Sequence, residues 1–316
     1  MTTRAEALRG DERPHMPDPP PTAGQADVPA PPPAAGQADV PGPPPAAGQT
    51  HVPGAVGLAV GRRAMRASAA VATALAPDGR TVISRLASAP PLTLRQTGPH
   101  TVHLVSTAAG PLGGDRLALH LDVAPHTMLE LGSVAATLVL PGEGPSELLV
   151  TARVGAGATL RFTPEPTVLA AGCDHRLLVR LALEADASVL WREEIVFGRH
   201  GEAPGRCHAR FDATRDGLPL LRQEFTVGDP ELDASPAVYG PARCVGTTFL
   251  TTGVKETALA EGVAVLPLAA PATLVSALAA DAVQLRARLE WGERTAMAGS
   301  PPHPHQSELS GAATPK

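Results

Sequence analysis

The chain has 316 residues, 43% of them hydrophobic, and 26 Lys and Arg against 31 Asp and Glu give it a net charge of −5. This supports one large domain or two small ones, while the 3% aromatic content and the absence of a basic stripe speak against a nucleic-acid partner. Three scattered cysteines, Cys173, Cys207 and Cys244, argue against a disulfide framework and for a reducing compartment, and without an apolar run of about 18 residues no membrane span is expected.

Residues 1–56 read as a Pro-rich arm. Three near-copies of one twelve-residue unit, PPPTAGQADVPA, PPPAAGQADVPG and PPPAAGQTHVPG, fill Pro19 to Gly54. The only large apolar side chains in them are Val28, Val40 and Val52, too few to offset ordering entropy, so this arm is expected to be disordered with polyproline II character. The charged first residues, MTTRAEALRGDERPH, lack an apolar signal region, which makes the cytoplasm the expected location.

A second texture, expected to form a β domain over residues 57–292, starts at Gly57. Ala64 to Leu75 is small and apolar, and Pro77-Asp78-Gly79-Arg80 reads as a turn. Strand-like runs follow at 81–86, 92–95 and 102–105. After the Gly110-Pro111-Leu112-Gly113-Gly114-Asp115 loop, Leu117, Leu119, Leu121 and Val123 alternate with Arg116, Ala118, His120 and Asp122, the period of a half-buried strand. The Gly-Gly pair lets another backbone come close. More strand-like runs lie at 127–140, 148–154, 159–162, 177–183, 189–197, 209–213, 220–227 and 245–250. Strands separated by turn signals every roughly 8–12 residues mark an all-β domain. Only the end looks helical, with Pro271 to Ala279 and Asp281 to Leu289 rich in Ala, Leu and Arg. Asp281 is a fitting N-cap, and Val283, Leu285 and Leu289 are expected to face inward. Residues 293–316 are expected to be a disordered tail.

Few residues suggest chemistry. Asp115 is either the anchor of an Asx-type turn or an oriented carboxylate facing a channel. Its loop matches no phosphate-binding pattern, and a strand rather than a helix follows it. Cys173 and His175 share a face if extended and could make a weak metal contact, although no further ligand lies at zinc-site spacing. Adjacent Glu193 and Glu194 point to opposite faces of a strand, so they cannot form a juxtaposed acid/base pair. A buried member of the pair needs a partner, which Arg192 or Arg199 could supply. Ser133 in LGSVA lies in an alternating strand and not in a nucleophile elbow.

Taken in order, PLGGDRLALHLDV, Ala135-Ala136-Thr137, PEPTVLAAGCDH, REEIVFGRHGEAPG and DGLPLLRQEFTVGD resemble the urease accessory protein UreD family, also called UreH. The resemblance spans about residues 57 to 290. It implies a mainly β fold, a superhelical stack of short strands in two sheets with two short α-helices near the C-terminus. It implies an accessory protein and not an enzyme, which binds apo-urease and UreF, with UreG as the partner GTPase. It further implies transient Ni²⁺ in a water-filled tunnel, with no tightly bound cofactor. Asp115, Thr137 and Glu193 match tunnel-lining positions, and Gln223 stands where the family can carry an acid. Gly113, Gly114, Arg199, His200 and Glu202 match positions for fold or partner contacts, and Cys173 and His175 belong to the GCDH version of their motif. The competing expectations are a generic all-β module binding protein or carbohydrate, and a hydrolase using Asp115 with Glu193 across a cleft. With only Trp191, Trp291 and Tyr239 as large polar-tipped aromatics, a sugar-stacking platform is disfavoured.

Overall fold

The computed structural model describes residues 63–298. The Pro-rich arm and the residues after 298, together with the disorder expected of them, lie outside the described residues. In chain order the strands are β1 (Arg66–Leu75), β2 (Thr81–Ala87), β3 (Leu92–Gln96), β4 (Thr101–Ser106), β5 (Arg116–Val123), β6 (Met128–Ser133), β7 (Thr137–Val139), β8 (Ser146–Val154) and β9 (Thr159–Thr163). They continue with β10 (Thr167–Leu169), β11 (Asp174–Leu183), β12 (Ser188–Val196), β13 (Arg206–Arg215) and β14 (Leu218–Val227), then helix α1 (Pro230–Asp233). The chain ends through β15 (Cys244–Leu250), β16 (Ala258–Ala260), β17 (Val263–Pro267), β18 (Thr273–Ala279) and helix α2 (Ala282–Ala298).

The middle of the chain winds in circuits of about thirty residues, a solenoid in which each circuit pairs with its neighbours. Arg116 of β5 pairs in parallel with Glu147 of β8, Ser146 of β8 with His175 of β11, and Asp174 of β11 with Arg206 of β13. The opposite wall repeats the step, Met128 against Thr159 and Thr159 against Ser188. The result is a seven-stranded sheet, β14-β13-β11-β8-β5-β1-β2, and an eleven-stranded sheet whose main path is β16-β17-β18-β15-β12-β9-β6-β4-β3. Antiparallel pairs, β1 with β2 and β3 with β4 at the start and β13 with β14 and β15 with β18 at the end, close the stack.

Three successive crossings from the seven-stranded to the eleven-stranded sheet turn on a left-handed residue at the same place in the circuit: His126 (φ 59°), Gly157 (φ 63°) and Asp186 (φ 57°). The turns bond to one another, His126 N–H to the Ala156 carbonyl at 3.0 Å and Gly157 N–H to the Ala185 carbonyl at 3.1 Å. A Cβ at Gly157 would stand 2.7 Å from Nδ1 of His126, so glycine meets a steric as well as a conformational demand. The Gly-Gly pair does what its composition suggests. A Cβ on Gly113 would lie 2.4 Å from the Gly142 carbonyl carbon, so two turns touch backbone to backbone.

The expected alternation of β5 holds: Leu117, Leu119, Leu121 and Val123 are buried and His120 and Asp122 exposed. Such strands fill the space between the sheets with two apolar clusters. One centres on Leu94, Leu129, Leu131, Leu160 and Trp191, the other on Leu169, Leu177, Ile195, Phe197 and Tyr239. A third lies where Leu285 and Leu289 of α2 cover the outer side of β15, β17 and β18.

Four expectations about the C-terminal part are corrected. Thr273–Ala279 is a strand, paired with β15 and β17, and not a helix. It is buried on both faces, by the sheet interior and by α2, and this hides the alternation that marks a one-sided strand. The first helix, α1, is a single turn capped by Asp229 and preceding β15, so only α2 sits near the C-terminus. Helix α2 starts with Asp281 capping the Gln284 N–H at 2.8 Å, but it passes residue 292 and ends at Ala298, which moves the expected start of the tail. Gly292 does not stop it: a Cβ there would meet Val275 at 2.3 Å, so glycine allows close helix–sheet packing. Val283 is 82% exposed, because a residue two before Leu285 points away from the Leu285–Leu289 stripe.

Candidate functional site: an interior cavity lined by isolated oxygen donors

Strand β12 is covered on both sides, so Glu194 is buried and Glu193 half-buried. Trp191, Glu193 and Ile195 face the space between the sheets, and Arg192 and Glu194 face α2. Glu193 lies where the two inter-sheet clusters meet. There the packing leaves a cavity of about 50 Å³ walled by Leu92, Leu104, Leu119, Leu148, Val150, Phe162 and Leu177. Its polar lining is Thr137, Thr167, Glu165, Glu193 and Glu194. Thr137 and Thr167 are register partners on β7 and β10, and Thr167 pairs with Ile195 of β12, so the solenoid step itself aligns these hydroxyls beside Glu193. That volume exceeds the roughly 10–15 Å³ one water needs, and three or more polar groups line it.

Glu193 receives a long hydrogen bond from the Trp191 indole N–H, 3.4 Å. Burial pushes its carboxyl up to about 7, and the Trp191 bond opposes this only weakly. Near neutral pH this group divides its time between acid and carboxylate. A second, smaller cavity of about 30 Å³ adjoins the first through Leu92, Leu104, Leu148 and Thr137, and is lined also by Ser106, Ser133 and Ala135. At the other end Glu165 also lines an outer groove of about 410 Å³ with Pro166, Val283, Arg286 and Glu290.

Beneath α2 the chemistry differs. Arg192 grips Glu293 through Nε and Nη2 at 2.8 and 2.6 Å, and the Thr248 hydroxyl donates to the same carboxylate at 2.7 Å. Arg286 reaches Glu194 at 3.1 Å and Glu165 at 3.0 and 3.2 Å. Burial raises the Glu194 pKa, and Arg286 works against that rise. Arg192, expected as a partner for a buried glutamate here, stands 3.9 Å from Glu194, and the closer cation is Arg286.

The other sequence candidates fall elsewhere. Asp115 is 1% exposed and holds the start of β5: its carboxylate accepts the Met65 N–H at 2.8 Å and the Leu112 N–H at 3.0 Å. It stands behind the Gly110-Pro111 wall of the smaller cavity and acts as a turn anchor. Gln223 sits on β14 opposite Phe211, half-buried and away from the cavity lining. Gly114 takes φ +86° in the turn before Asp115. Arg199 and Glu202 pair across the exposed turn after β12, with His200 exposed between them. The Arg199 bond draws the Glu202 carboxyl down to about 2. Glu202 also receives the Ala171 N–H at 3.4 Å, and Arg243 bonds the Phe197 and Glu202 carbonyls at 2.6 and 2.8 Å, so this loop is a fold feature.

Cys173 and His175 lie in the second core cluster's neighbourhood at 2% and 1% exposure. Burial drives the Cys173 thiol up to about 11 and His175 down to about 4, and the Nδ1 of His175 pairs with the Ser146 hydroxyl at 2.9 Å. The thiol is held protonated and the imidazole Nδ1 is bonded, and among the described residues no group of three His, Cys, Asp or Glu side chains is placed to hold a metal ion. Sequence reasoning missed Thr167, Arg286 and Glu293. Thr167 could have been found as the counterpart of Thr137 one circuit later. Arg286 and Glu293 meet β12 only through a packing angle that no local pattern records.

Stacked circuits of short strands around a small polar-lined interior define the class as a solenoid-like β scaffold. The comparisons give that class a family. The family model described as UreD urease accessory protein matches residues 65–306, and the chain belongs to this family. It is similar to urease accessory protein UreD of Frankia casuarinae, 39% identical over 287 residues, covering 73% of this chain and 90% of that protein. It is also similar to UreD of Frankia alni, 41% identical with 72% and 92% covered, and to UreD 1 of Saccharopolyspora erythraea, 38% identical with 69% and 91% covered. A urease maturation role follows from this membership. No described helix is long and apolar enough to cross a membrane.

Proposed function

We propose that this protein is a non-catalytic scaffold of urease maturation that conducts Ni²⁺ through its interior toward apo-urease, docked in the cytoplasm with UreF and with the GTPase UreG. The observation that carries this reading is one cavity bearing Glu193, Thr137 and Thr167 at the seam of two apolar clusters. A nickel ion moving through protein needs successive weak oxygen contacts. A closed cage of thiolates and imidazoles would trap it, given its high place in the Irving–Williams order. Single carboxylates, hydroxyls and water lower the cost of desolvation without a deep well, as in multi-site conduction.

Glu193 suits this task. With its carboxyl pushed up to about 7 it carries a proton for part of the time when no ion is near, which limits the cost of an empty charged cavity. It becomes a carboxylate when a cation displaces its proton. The adjoining cavity, with Ser106 and Ser133, extends the run of hydroxyl donors beyond Thr137. The turn anchored by Asp115 serves the shape of the passage, and Gln223 lies away from its lining.

The test is urease activation under limiting nickel, with complex formation followed by co-purification with urease subunits and UreF. Glu193→Gln and Thr137→Val are expected to leave the complexes intact and lower nickel per urease active site. Full nickel loading with both variants would remove the conduction reading.

A further inference from the structure

The ion cluster between β12 and α2 does not balance its own charge. Arg192 and Arg286 face Glu165, Glu194 and Glu293, two cations against three carboxylates, and half-exposed Glu290 adds a fourth at 3.9 Å from Arg192. Glu194 is 4% exposed, and its Oε2 is a buried atom without a hydrogen-bond partner among the described residues. Leaving a carboxylate oxygen bare inside a protein is costly, and such an atom is where a cation would be drawn.

The position of this oxygen matters more than its cost. Glu194 and Glu165 both border the interior cavity, the Glu194 carboxylate on its α2 side, while Glu165, Arg286 and Glu290 line the outer groove beside the first turns of α2. The two spaces therefore share a wall at Glu165, and the Arg286 guanidinium spans it, holding Glu165 with two hydrogen bonds and Glu194 Oε1 with one from Nε and an ion-pair contact from Nη2. Arg286 is a third exposed and stems from the first turns of α2, whereas Arg192 is 8% exposed and clamped on Glu293. Only the first of the two arginines has solvent to swing into, and ion pairs at such exposure exchange readily.

We infer that Arg286 is a tethered cation closing the α2 end of the cavity, and that a divalent metal ion passing between the outer groove and the interior takes its place between Glu165 and Glu194. This rests on the conduction reading above and adds an entrance and its gate. The donors are carboxylate oxygens, suited to a hard or borderline divalent ion held weakly. Arg286 leaves and returns as one unit of charge, so the cluster is never left with its full negative excess, and an ion must bring its own charge to open the way.

The experiment is a Ni²⁺ titration of the full chain in competition with a chromophoric chelator, at matched folding by circular dichroism and urea unfolding. Arg286→Gln is expected to gain one Ni²⁺ site at least tenfold tighter than the wild type. Glu194→Gln in that background is expected to abolish the gain, and Glu165→Gln to weaken it severalfold. Arg286→Lys keeps a charge without the planar fork, and a smaller gain is expected. The inference is overturned if both Arg286 variants titrate like the wild type, or if the gain survives Glu194→Gln. Running Glu193→Gln for urease nickel loading beside these separates the two ideas. Lost loading with an unchanged Arg286→Gln titration removes the gate and leaves conduction; normal loading with a gained site removes conduction and leaves the cation site.

Discussion

Glu193 and Glu194 are neighbours on one strand, yet they live in two electrostatic settings. The inner face of β12 offers Glu193 an apolar cavity and one indole N–H, so burial dominates and the carboxyl holds its proton toward neutral pH. The outer face offers Glu194 two arginines and a helix that brings further carboxylates. Inside the sheets burial acts on Glu193 almost unopposed, whereas under α2 the arginines share the charge and work against the same burial. One residue of strand period separates the two solutions, because alternate side chains sample opposite faces.

Breaking the outer face should have the largest effect. Arg192→Met leaves Glu293 buried without its cation, and a loss of about 3–5 kcal/mol in urea unfolding is expected. Combining it with Glu293→Met should restore much of that loss, as expected when the cost is an orphaned charge and not a missing contact.

The inner face should respond in the opposite direction. The carboxyl of Glu193 is raised in the folded chain, so it adds stability below its ordinary value of 4.5 and loses it as pH climbs to about 7. Glu193→Gln should therefore be up to about 3 kcal/mol more stable than the wild type above pH 7, since every tenfold change in proton affinity on folding is worth about 1.4 kcal/mol, and equal to it below 4.5. Coincident unfolding curves at every pH would show that the cavity does not penalise this charge.

Asp115 provides a third setting, a carboxylate satisfied by backbone N–H groups. Asp115→Ala should cost about 1–3 kcal/mol by leaving the Met65 and Leu112 amides without their acceptor. If this variant lowers nickel loading without lowering stability, Asp115 belongs with Glu193 after all. Glu202 should show the smallest effect. Its carboxyl is lowered by Arg199, so the stability it adds is present above 4.5 and disappears as pH falls toward about 2. Glu202→Gln should lower the melting temperature slightly at pH 7 and not at pH 2.

Much of the fold was legible. The alternation of 117–123 marked β5, the spacing of turns marked a stack of short strands, and Gly113 announced a close backbone approach that Gly142 completes. The C-terminal part was less so, because β18 is covered on both sides and a one-sided pattern is what sequence period detects. Of the site, Thr137 and Glu193 were named and share the cavity, while Asp115 and Gln223 were named and stand outside its lining. A carboxylate beside a glycine turn looks the same in sequence whether it faces a channel or caps its own loop. Arg286 and Glu293 went unseen because their partners lie about 90–120 and 45–100 residues away, brought near only when the helix settles on the sheet.

The left-handed turn residues His126, Gly157 and Asp186 have an architectural consequence. A chain wound this way can grow or shrink by whole circuits. Excising the stretch between two equivalent turns removes one rung from both walls together and leaves the remaining rungs able to join in register. The height of the stack is then inherited in steps of about 4.8 Å, one strand spacing at a time, without redesigning a single turn.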